Sequence, residues 1–189
     1  MDGALWMYLL LALSTAPPLV PNAALIASAG MLAQAGDLDL WLVLAVVAGS
    51  ALAGDVLVYG LGRLARSRVR AWLTRRPARR AALDWMADRI NRHGVPFVVG
   101  MRFLPSGRLI GGLTAAVVDF PLRRFLLGAG IAETFWASYS VALGYWGGAT
   151  FEGAWSGLLL GTLLSLVVAG VAQLLAARRP KPGPVEPAP

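Results

Sequence analysis

Apolar residues in this chain come in long runs, and the places where the runs break carry as much information as the runs. Residues 4–14 are apolar but too short to cross a bilayer alone, since a crossing helix needs about 20 residues. Residues 15–36 stay apolar while Pro17, Pro18 and Pro21 puncture them, which predicts a re-entrant hairpin turning near Pro21-Asn22 and closed by Asp37 and Asp39. Residues 40–62 form a full-length span interrupted by one acid, Asp55. The pattern then changes: residues 64–93 are rich in arginine, with Leu83, Met86 and Ile90 at helical spacing. This predicts amphipathic surface helices divided at Pro77 and ended by Gly94. A second hairpin is expected over 95–120, broken at Pro105-Ser106-Gly107, and a second full span over 125–147, carrying Glu133. A third apolar run covers 155–176, and the proline-rich residues 178–189 read as a disordered tail.

Composition turns these runs into a class. With 57% hydrophobic residues, 14% charged and no cysteine, residues 1–177 read as one domain of an all-α polytopic membrane protein. A transmembrane barrel would show short alternating segments instead. The lack of cysteine excludes disulfide frameworks and thiol chemistry. The single histidine, His93, provides no ligand cluster for zinc, so no metal or cofactor is expected, and His93-Gly94 reads as a helix end.

The net charge of +7 does not point to nucleic acid, because no Lys or Arg precedes Arg63 and the basic residues then flank apolar runs in blocks. Such placement sets topology. It puts residues 64–93 and the Arg178–Lys181 block on the cytoplasmic side, against anionic headgroups. A re-entrant 95–120 keeps Arg123 and Arg124 on that side too, and leaves Asp37, Asp39 and Glu152 outside. The C-terminus is then cytoplasmic, whereas no basic residue marks the side of the N-terminus. Asp2 and Pro17-Pro18 argue against a cleaved signal peptide. Shifting the chain by 84 residues lays Val20-Pro21-Asn22 over Leu104-Pro105-Ser106 and Gly60 over Gly144. Each half is then a re-entrant hairpin followed by a transmembrane helix, and the two halves are inverted repeats.

Arg102 and Arg108 stand inside apolar sequence, where an arginine costs about 2.5–3.5 kcal/mol on insertion scales. Guanidinium presents planar donors suited to phosphate, and the glycines at 100, 107, 111 and 112 let backbone amides approach an anion. The alternative is that Asp55 or Glu133 simply neutralises the arginines. Those two acids are candidate proton carriers or counter-ions, and the roles are compatible. Pro105-Ser106-Gly107 matches part of a membrane lipid phosphatase element, but Arg108 follows where that chemistry needs histidine, so a transporter rather than an enzyme is expected. Gly153, Gly157, Gly161, Ser165 and Ala169 form a small-residue ridge for helix packing, within one chain or in a homodimer.

Nearly the whole chain resembles the DedA family of bacterial membrane proteins, which is related to the eukaryotic VTT-domain scramblases. The resemblance lies in the first hairpin ending Ala29-Gly30, in Gly54-Asp55 with Tyr59, Gly60, Gly62 and Arg63, and in His93-Gly94. Its most specific part is Arg102-Phe103-Leu104-Pro105 with Arg108, followed by Trp136 and Gly144-Tyr145. It implies two opposed hairpins, inner-membrane location, and a flippase for a phosphate-bearing lipid, foremost undecaprenyl phosphate, held by Arg102 and Arg108. It departs from the family where acidic residues are expected: Leu11 and its neighbours are apolar, and Ala23 stands after Pro21-Asn22. Competing expectations are a proton- or cation-coupled antiporter, a phospholipid scramblase, or a structural partner protein without transport.

Overall fold

A computed structural model of the chain describes residues 2–18, 20–104 and 106–150. Every regular element among them is a helix: α1 Asp2–Thr15, α2 Ala23–Ala35, α3 Leu40–Leu64, α4 Arg66–Thr74, α5 Pro77–His93, α6 Val95–Met101, α7 Gly107–Val117 and α8 Leu122–Thr150. Pro105, Glu152, the small-residue ridge, the run 155–176 and the tail 178–189 lie outside the described residues.

The ends of the helices follow from local chemistry. Asp39 caps α3, its carboxylate accepting from the Leu42 amide at 2.7 Å, while the Asp39 amide donates to the Tyr8 hydroxyl at 2.9 Å. Uninterrupted apolar sequence then carries α3 for 25 residues. Among the described helices it is the one long and apolar enough to cross a membrane. α8 has 29 residues, about 43 Å, but carries Arg123, Arg124 and Glu133. α1, α2 and α7, with 14, 13 and 11 residues, fall short of the hydrocarbon thickness of about 30 Å.

Two helix pairs have breaks where proline and glycine put them. The first has its arms in α1 and α2 and its break at residues 16–22, so residues 4–14 form one arm and the pair is not confined to 15–36. The reason is that nothing before Pro17 disrupts the helix, and the Ala16 amide still donates to the Ala12 carbonyl at 3.1 Å. Asn22 is buried beside Pro21, and its side-chain amide donates to the Ser14 carbonyl at 3.2 Å, folding the break back onto the end of α1. The second pair is α6 and α7. Ser106 caps α7 with φ +58°, a left-handed conformation that non-glycine residues rarely adopt, and Gly107 lies so near the Met101 carbonyl that a Cβ would not fit. α7 starts 84 positions after α2 (107 − 23).

α3 and α8 run antiparallel through the centre. Val43 and Val47 share an apolar cluster with Ala137 and Val141, and Tyr59 shares another with Phe125 and Ala129. The helix pairs straddle them in exchanged fashion: α1 packs on α3 and α2 chiefly on α8, whereas α6 packs on α8 and α7 on α3. The α2–α8 contact is nearly backbone to backbone. Gly30 sits against the Val141 carbonyl and Gly144 against Ala27, with no room for a Cβ at either. Outward, Leu57, Leu61, Leu127, Ile131 and Phe135 are each more than half exposed, a surface suited to hydrocarbon rather than water.

α4 and α5 lie across one end of this bundle. Pro77 opens α5, and Gly94 with φ +55° closes it. The stripe Leu83, Met86 and Ile90 is buried against protein as well as forming the apolar side of an amphipathic helix. The Thr114 hydroxyl meets the Met86 sulfur at 3.7 Å, and Trp85 packs edge-on against Phe97.

Candidate functional site

Between the two apolar clusters the centre of the molecule is charged. Asp55 lies 15 residues into α3 (55 − 40) and Glu133 lies 11 into α8 (133 − 122), about 22 Å and 16 Å from the respective helix starts. Both are almost wholly buried, with side chains 1% and 3% exposed. The break after α6 delivers Arg102 and the first turn of α7 delivers Arg108, so one broken helix pair aims two guanidinium groups at two carboxylates from the antiparallel centre.

Arg102 binds both acids. One of its terminal nitrogens donates to Asp55 Oδ1 at 3.0 Å and also contacts Glu133 Oε1, and the other meets Asp55 Oδ2, a two-pronged pairing suited to the planar fork. Arg108 spans the same acids through Nε, at 3.3 Å to Asp55 Oδ1 and 3.2 Å to Glu133 Oε1. Its terminal nitrogens donate to the carbonyls of Thr15 at 3.2 Å and Ala51 at 2.9 Å. Thr15 is the last residue of α1, where helix carbonyls lack intrahelical donors and the dipole is negative, so a cation is favoured there. The break after α1 reaches this point because Gly54 lies directly under the Ala16 carbonyl, with no space for a side chain.

Two positive and two negative charges make the cluster neutral. Their mutual attraction offsets part of the cost of placing ions in a low-dielectric interior, provided that the set stays complete. Arg102 is 7% exposed and Arg108 18%, so Arg108 is the cation that a ligand can reach with least rearrangement. The buried Thr15 hydroxyl has no hydrogen-bond partner among the described residues, leaving spare polar capacity beside Arg108. A narrow cavity of about 10 Å³, room for roughly one water, approaches both arginines between Met86 and Ile90 of α5 and Met101 and Thr114.

All four charged residues singled out from the sequence therefore meet in one place. Pro21 and Asn22 lie in the first break, Ser106 lies in the second and Gly107 opens α7, framing the cluster without charges of their own. Two contributions were missed. The Thr15 and Ala51 carbonyls carry no side-chain signal at all, whereas the α5 covering was hinted at by the spacing of Leu83, Met86 and Ile90.

Short broken helix pairs around a long apolar helix, an apolar exterior and a buried neutral charge cluster define a helical membrane protein. The model of the VTT domain matches residues 20–146, and the chain belongs to that family. It is similar to Protein DedA of Escherichia coli strain K12, with 24% identity over 166 residues covering 86% of this chain and 76% of the relative. Protein DedA of Escherichia coli O157:H7 gives the same figures. No solved structure matches.

Proposed function

We propose that this protein is a lipid translocase of the bacterial inner membrane, moving a phosphate-bearing lipid between leaflets without covalent chemistry. Undecaprenyl phosphate is the favoured substrate, on the family resemblance. One observation carries the reading: two arginines on broken backbone, buried at the centre of the molecule and held by exchangeable carboxylate partners. The phosphate would take the place of a carboxylate on Arg108 while the hydrocarbon chains stay in the lipid alongside α3 and α8. In this reading the two helix pairs are re-entrant hairpins from opposite faces, and α1–α3 and α6–α8 are inverted repeats. The exchanged packing of the pairs on α3 and α8 supports that arrangement.

Neutrality gives the mechanism its constraint. An incoming phosphate adds negative charge to a balanced set, so a proton taken up by Asp55 or Glu133 would restore the balance and release an arginine for the phosphate. Proton uptake on these two acids would offset the apolar residues at Leu11 and Ala23. The test is lipid translocation in liposomes at matched protein content. Arg108→Gln is expected to slow it at least tenfold, and wild-type rates in that variant would sink the phosphate role.

A second reading, a proton- or cation-coupled antiporter, draws on the same buried carboxylates. Proton flux that needs no lipid substrate, and that is abolished by Asp55→Asn or Glu133→Gln, would favour it.

A further inference from the structure

A second cavity lies away from the charge cluster, where α4, α5 and the end of α7 meet. It encloses about 220 Å³, with Arg66 and Arg70 of α4 on one wall and Leu83, Asp84 and Ala87 of α5 on another. Val117 and Val118 complete it. Along α7, Val117 is nine residues beyond Arg108 (117 − 108), about 14 Å, so this is a separate place.

Its charges are not balanced. Arg63 and Arg66 both pair with Asp119, and Arg80 reaches Asp84 at 4.0 Å, while Arg70 has no ion-pair partner among the described residues. Two arginines and one aspartate line the cavity, which leaves +1 (2 − 1), and its remaining lining is apolar. Leu83 and Val117 are 5% and 2% exposed, so that lining is a fixed floor of the bundle. Arg66 follows the end of α3, the described helix fit to cross a membrane, by two residues (66 − 64), so a bilayer crossed by α3 would bring its headgroups near this cavity.

From this we infer a second lipid site, specific for the phosphate headgroup of an anionic phospholipid and distinct from the Arg102–Arg108 centre. The headgroup phosphate bonds Arg70 and shares Arg66 with Asp119, and the glycerol and first methylenes lie on the partly exposed Ala87 and Val118. A soluble phosphate would gain the charge but leave Ala87 and Val118 uncovered, so the lipid is the better fit. Because Arg66 is also held by Asp119 in the α7–α8 turn, an occupied site braces α4 against that turn.

Native mass spectrometry of the full chain in detergent, titrated with phosphatidylglycerol, tests this. One phosphatidylglycerol should bind that Arg108→Gln retains, that phosphatidylcholine does not replace, and that Arg70→Gln weakens about tenfold, the scale of one charge-assisted bond. Asp84→Asn should shift affinity the other way, tightening binding severalfold, which guards against a variant that merely misfolds. Unchanged binding in Arg70→Gln overturns the inference, as does displacement of the lipid by millimolar inorganic phosphate, which would make the occupant a soluble anion. Arg108→Gln reads the translocation proposal separately, so either reading can fail alone.

Discussion

Asp55 and Glu133 each meet both arginines, but Asp55 takes both terminal nitrogens of Arg102 as well as Arg108 Nε, and this makes it the residue on which the charge cluster depends most. Removing one partner from a buried ion set leaves an uncompensated charge, a cost of about 3–5 kcal/mol. Asp55→Asn is expected to lower the thermal midpoint in detergent sharply. Arg102→Met alone should also destabilise, but Arg102→Met with Glu133→Gln should recover much of the loss, because that pair leaves Asp55 with Arg108. Additive losses in this double-mutant cycle, read by thermal unfolding, would mean that the four charges act independently. Ser106 is a different kind of residue. Its left-handed backbone costs about 1–2 kcal/mol against a right-handed one, so Ser106→Gly should hold or raise stability while Ser106→Val lowers it.

The helices themselves divide into those written plainly in the sequence and those that were not. α3 was legible because an apolar run with a single acid has no other stable form, and its ends coincide with Asp39 and with Arg63. α1 was harder to place, since 14 residues are too few to span and composition alone does not say what a short apolar helix packs against. The charged site was legible residue by residue, because each ion in hydrocarbon is expensive. Its connectivity was not: the charge topology set the two full spans antiparallel, but nothing in the spacing showed that Asp55 and Glu133 would meet both arginines. The α2–α8 contact was equally silent, resting on Gly30 and Gly144 in a chain with 22 glycines. Gly144→Ala is expected to force those helices apart and cost about 1–3 kcal/mol, lowering the thermal midpoint, whereas Gly130→Ala on the same helix, with open space around its position, should not.

For the whole molecule the charge distribution and the exchanged packing make a single prediction about orientation. The chain contains no cysteine, so single cysteines can report sidedness without background labelling. Cysteines at Ala71 and at Arg123 are expected to react with an impermeant maleimide only from the cytoplasmic face, and one at Asp37 only from the opposite face. Labelling of positions 71 and 123 from opposite faces would mean that residues 95–120 cross the bilayer once, and would remove the inverted arrangement.

Asp55 has a further consequence, for the order in which the protein is made. The ribosome delivers Asp55 to the membrane 47 residues before Arg102 (102 − 55), with no cation before Arg63. The first half therefore waits, its acid unanswered, until the second half arrives. Expressed alone, residues 1–93 should be cleared by quality-control proteolysis, and co-expression of residues 94–189 should rescue them. The neutral cluster would then act as the assembly checkpoint that certifies a completed chain.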